Sequence, residues 1–92
     1  MDDPRVAQML QFIGANVYRL RRERGLTQEK LAEAADIELT FFQKIERAET
    51  NFGIALLVKL ADALGVEAEA LLKPAERPPV QRGRPRKKPA EG

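Results

Sequence analysis

With 92 residues, the chain can build one modest hydrophobic core but not two. It has no cysteine and no histidine, which excludes disulfides, cysteine zinc sites, imidazole metal ligation and histidine acid–base catalysis. The net charge of +2 conceals an asymmetry: residues 1–72 carry 9 Lys and Arg against 12 Asp and Glu, whereas residues 73–92 carry 7 against 2.

An acidic body followed by a basic tail predicts a nucleic acid or another acidic surface as the partner of the tail. If the body itself binds DNA, it must do so through a local basic patch. No apolar run is long enough to span a membrane. The start, Met1-Asp2-Asp3, lacks the basic stretch and apolar segment of a signal peptide. The expectation is a cytoplasmic, nucleoid-associated protein with no membrane contact. No nucleophile–base pair, metal cluster or phosphate loop is legible, so neither an enzyme nor a cofactor is expected.

In chain order, Asp3 and Pro4 read as the cap and first position of a helix. Val6, Met9, Leu10, Ile13, Val17 and Leu20 recur at three- and four-residue spacing along it, and Gly25 stops it. Thr27 can cap a second helix with Leu31, Ala32 and Ala35 on its inner face. A third is expected from about Leu39 to Arg47, held from below by Phe42 and Ile45, with Glu38 as a poor cap. Leu39, Thr40, Phe41, Gln43 and Lys44 should then project outward. A fourth helix, Ile54 to Leu64, turns Ile54, Leu57, Leu60, Ala61 and Leu64 inward and ends at Gly65. A fifth, Glu67 to Leu72, is short. The prediction is an all-α, five-helix domain over residues 1–72. From Lys73 onward, prolines and cations replace large apolar residues, so residues 73–92 read as a disordered, extended tail.

The second and third helices fit a helix-turn-helix. Ala32 and Ala35 are small enough for a close crossing, Asp36 tolerates a left-handed turn, and Ile37 plugs that turn into the core. An exposed third-helix face presented this way fits the DNA major groove.

Ile13 to Leu72, with RLRRERGLTQEKLAE, IERAE and LVKLADALGV as its densest motifs, resembles the lambda-repressor-like, XRE-type helix-turn-helix family. The resemblance implies a sequence-specific transcription regulator. By position it implies that Thr27 and Gln28 contact phosphate, and that Arg47 and Asn51 meet the DNA backbone from the following loop. Leu39, Thr40 and Lys44 match base-reading positions, with Gln43 on the same outward face. Arg21 and Glu46 match a buried pair that ties the first helix to the third. Asp36 and Ala48 depart from glycines of the family pattern, and Phe52 from a loop proline.

Within the tail, Arg82-Gly83-Arg84-Pro85 followed by Arg86, Lys87 and Lys88 resembles an AT-hook. Arginines are drawn into the narrow, negative minor groove of A·T-rich DNA. Gly83 clears the groove floor, Pro85 keeps the chain extended, and the last three cations can follow phosphates. A homodimer is expected through Leu56, Val58, Val66 and Leu72, matching a two-fold DNA site. Two alternatives stand beside the regulator. One is an antitoxin or adaptor whose main partner is a protein, favoured by apolar Leu39 and Phe41 on the outer face. The other is an architectural DNA-binding protein dominated by its tail.

Overall fold

The computed structural model describes residues 3–77. Four α-helices follow in order: α1 (Pro4–Glu23), α2 (Gln28–Ala34), α3 (Leu39–Glu46) and α4 (Ile54–Leu64). A 3-10 segment, Ala68–Leu72, closes the domain, and there is no strand among the described residues.

The helices start on side-chain caps where the sequence supplies them. Asp3 accepts from the Arg5 amide, Thr27 from Lys30 at 3.0 Å, and Glu38 from Phe41 at 3.0 Å. Glu38, expected to cap poorly, thus does cap, because its longer side chain folds back onto the first turn. Its carboxyl is held below the usual glutamate range, first by the Phe41 amide and then by that of Thr40.

All four helices end in the same way. The residue after the last turn is left-handed: Gly25 at φ 67°, Asp36 at 57°, Ala48 at 61° and Gly65 at 74°. Two backbone bonds close each end. At α1, Gly25 donates to the Arg22 carbonyl and Leu26 to that of Arg21; at α3, Ala48 donates to Ile45 and Glu49 to Lys44. This Schellman pairing satisfies carbonyls that a helix end leaves without intrahelical donors.

The core is a single apolar cluster. Ile13, Val17 and Leu20 of α1 meet Leu31, Ala32 and Ala35 of the α2 end, Phe42 and Ile45 of α3, Leu57, Leu60, Ala61 and Leu64 of α4, and Leu71. Phe42, Leu31, Leu60 and Leu71 have no exposed surface. Each such burial contributes about 1.5–3 kcal/mol against an exposed reference.

Four expectations change. The fifth helix is a 3-10 turn, with Ala70 donating to Glu67 at 2.9 Å; five residues before Pro74 are too few to propagate an α-helix. Ile54, expected inside, is 73% exposed, because it opens α4 ahead of the turn that meets the core. Leu39 and Phe41, expected to project outward, are half-buried against the core cluster. Residues 73–77 are not a free tail: they lie along α1, with Lys73 held through its carbonyl by Asn16 at 2.9 Å.

Candidate nucleic-acid interface

Helix α3 is held against α1 by one close approach and one ion pair. An ideal Cβ built on Gly14 would stand 2.7 Å from the Glu46 carbonyl oxygen, so only glycine permits this crossing. Beside it, Arg21 Nε donates to Glu46 Oε2 at 2.7 Å, Arg21 Nη2 to Oε1 at 3.3 Å, and Arg21 Nη1 to the Leu26 carbonyl at 2.9 Å. Glu46 is 1% exposed and Arg21 8%. A buried pair of this kind is weak evidence for stability, but losing one partner strands the other charge.

The same carboxylate organises α2. Gln28 Nε2 donates to Glu46 Oε1 at 2.8 Å, and Gln43 Nε2 donates to Gln28 Oε1 at 3.1 Å. A continuous chain therefore runs from Arg21 through Glu46 and Gln28 to Gln43. Gln43, expected to project freely, is half-buried and oriented by this chain. Its amide oxygen has no hydrogen bond to a described protein group.

The residues expected to read bases thus divide. Thr40 and Lys44 are exposed on α3; Leu39 and Gln43 are half-buried. Of the expected phosphate contacts, Thr27 is exposed and caps α2, and Gln28 is half-buried. Arg47 and Asn51 are exposed in the loop after α3. Arg47 is paired with Glu49 at 3.0 Å, which raises the Arg47 pKa and lowers that of Glu49. Both groups are solvent-exposed, so the pair contributes little to stability. Arg82, Gly83, Arg84, Pro85, Arg86, Lys87 and Lys88 lie outside the described residues.

Among the residues named for self-association, only Val58 is exposed, at 44%. Leu56, Val66 and Leu72 pack partly on the core. Among the described residues, Ile54, one turn before Val58, and Met9 join Val58 as the exposed large apolar residues.

Sequence reasoning passed over Gly14, Asn16, Tyr18 and Arg77. Gly14 had a signal, a glycine inside a strongly periodic helix. The other three depend on how residues 73–77 fold back, which no local pattern reports.

Comparison with known proteins agrees with this geometry. The helix-turn-helix family model HTH_3 matches residues 17–71. An uncharacterized HTH-type transcriptional regulator, y4dJ of Sinorhizobium fredii, is 37% identical over 71 residues, covering 77% of this chain and 92% of that protein. The immunity repressor protein of Bacillus phage phi105 is 35% identical over 60 residues, which is 65% of this chain but 42% of the repressor. Among solved structures, the hypothetical transcription factor NHTF from Neisseria superposes with a TM-score of 0.70 at 32% identity, covering 72% of this chain and 76% of that one. The restriction-modification controller protein C.AhdI from Aeromonas hydrophila gives 0.65 at 32% identity, covering 67% and 94%. The chain belongs to the HTH_3 helix-turn-helix family, of XRE-type, lambda-repressor-like architecture.

Proposed function

We propose that the protein is a sequence-specific transcription regulator that lays α3 in the DNA major groove. The observation that carries this reading is the polar chain Arg21–Glu46–Gln28–Gln43, which ends on the outer side of α3 beside exposed Thr40 and Lys44. An oriented glutamine amide next to a hydroxyl and an ammonium can meet base edges. Its relatives bear names of transcription regulators and repressors, which supports the same reading.

Thr27 and Gln28 at the start of α2, with Arg47 and Asn51 beyond α3, take the phosphates. Glu49 must yield Arg47 to a phosphate for that contact to form. The body is acidic, so the cations Arg82 to Lys88 supply much of the phosphate attraction, with Arg82 and Arg84 in an adjacent A·T-rich minor groove. Two copies pair on a two-fold site through α4, where Val58 and Ile54 are exposed and Leu56, Val66 and Leu72 add what they leave uncovered. Leu39 and Phe41 are half-buried against the core cluster, which favours the DNA reading of this face over a protein partner.

Footprinting on duplexes bound by the full chain tests the reading. A discrete protected site is expected, with Gln28→Ala weakening protection. Uniform, site-free protection would instead indicate an architectural protein, and no protection at low salt would refute DNA binding.

A further inference from the structure

The family match ends at residue 71, but the described chain runs on to Arg77, and these last residues are anchored rather than loose. Asn16, 2% exposed on α1, donates Nδ2 to the carbonyls of Leu71 at 3.0 Å and Lys73 at 2.9 Å. Its oxygen accepts from Arg19 at 3.2 Å, so both polar atoms of this buried amide have partners. Further on, the Arg77 guanidinium lies over the Tyr18 ring, 4.2 Å from its centre. Arg77 Nη1 also donates to the Glu46 carbonyl at 3.1 Å.

That carbonyl belongs to the last residue of α3, one of the acceptors a helix end leaves open. A cation there also meets the negative end of the helix dipole. The stretch 75–77 shares a surface cleft of about 250 Å³ with Arg47 and Ala48, the start of the loop proposed to meet DNA phosphates.

We propose that residues 73–77 are a clasp, and that Arg77 is a positioning residue for DNA binding. It roots the chain at the end of the recognition helix, which shortens the free chain between the body and the basic stretch that begins at Arg82. This rests on the DNA-binding reading above. From Arg77 to Arg82 is five residues, so Arg82 stays within about 17 Å of the root. With Arg77 undocked, the last anchor is Lys73, nine residues away, which allows about 32 Å. Effective concentration falls as roughly the −3/2 power of free length, so releasing the clasp weakens the contribution of the tail by about 2- to 3-fold.

The test is a double-mutant cycle in the full-length chain. Arg77→Ala is combined with Arg82→Gln/Arg84→Gln/Arg86→Gln, and binding is measured on a duplex selected by the wild-type chain, with thermal stability followed in parallel. Arg77→Ala should weaken binding about 2- to 3-fold. Its effect should be much smaller once the tail arginines are neutral. Arg77→Lys keeps the charge but loses the planar stack, and should fall between. In the free protein, the Arg77 side-chain protons should be shifted upfield by the Tyr18 ring and return in Tyr18→Leu. An equal loss with and without the tail arginines, no loss at all, or unshifted Arg77 protons would overturn the proposal. A wild-type chain that selects no duplex would refute the DNA-binding reading first and the positioning role with it, whereas the proton shift judges the clasp alone.

Discussion

Helices α1 and α4 end on glycine; helices α2 and α3, which form the helix-turn-helix, end on Asp36 and Ala48. The backbone solution is the same at all four ends, with a left-handed residue and two closing bonds. The difference lies in what holds each helix. All four helices bury long apolar side chains, with Phe42, Leu31 and Ile45 of the α2–α3 pair among the largest, but only the ends of α1 and α4 are unstrained. The α2–α3 pair carries residues that glycine would suit better, and it is tied by buried polar groups. The helix-turn-helix is thus held in place by its neighbours rather than by the residues at its own ends.

The largest effect is expected for Glu46→Ala. It strands Arg21 in the interior and removes the acceptor of Gln28, and should cost about 3–5 kcal/mol in chemical denaturation. The double variant Arg21→Met/Glu46→Leu should recover most of that stability but not DNA affinity, because Gln28 and Gln43 lose their orientation. Recovery of both would show that the pair only packs.

Gly14→Ala comes next. Its Cβ would press on the backbone carbonyl of Glu46, so α1 and α3 must separate, at about 1–3 kcal/mol. The helix ends follow, with opposite signs. Gly25→Ala and Gly65→Ala meet no atom within 4 Å, so their cost is backbone strain alone, roughly 1–2 kcal/mol each. Ala48→Gly should stabilise by about 0.5–1 kcal/mol, the relieved strain less the added chain entropy. Asp36→Gly should gain less, since aspartate tolerates this region and stands 3.8 Å from Lys59. Thermal melts of the four variants read these signs directly.

The smallest effect is a pH dependence at the start of α3. The Glu38 carboxyl titrates below its unfolded value of about 4.3, because the Phe41 and Thr40 amides favour the charged form. Its contribution is therefore fully present above that unfolded value and is lost as pH falls through the folded one. Glu38→Gln should flatten the stability profile in that acid window, by comparison of melts across it.

Much of this is legible in the sequence. Asp3, Thr27, Gly25 and Gly65 mark helix ends because capping and left-handed turns demand particular residue types. Asp36 was readable on the same ground. What was not legible depends on distance in sequence. Ile54 fits the apolar period of α4 yet stays outside, since periodicity cannot say where along a helix its packing partner begins. Leu39 and Phe41 sit on the outward side of α3 by angle, but neighbouring elements partly cover them. The Arg77 contact spans 31 residues to Glu46 and carries no local pattern. Composition alone marks residues 73–92 as a free tail, because it cannot report a guanidinium settling on a distant tyrosine.

In the proposed function, α3 reads bases through Thr40, Gln43 and Lys44 while the polar chain beneath it sets its pose. Selection of bound duplexes from a random pool, at one stated salt concentration, tests this most directly when wild type is compared with Thr40→Ala, Gln43→Ala and Lys44→Ala. One discrete site is expected for wild type, with each variant relaxing preference at its own base positions at a cost of about 1–3 kcal/mol. Enrichment of the same site with unchanged preferences in all three variants would contradict it.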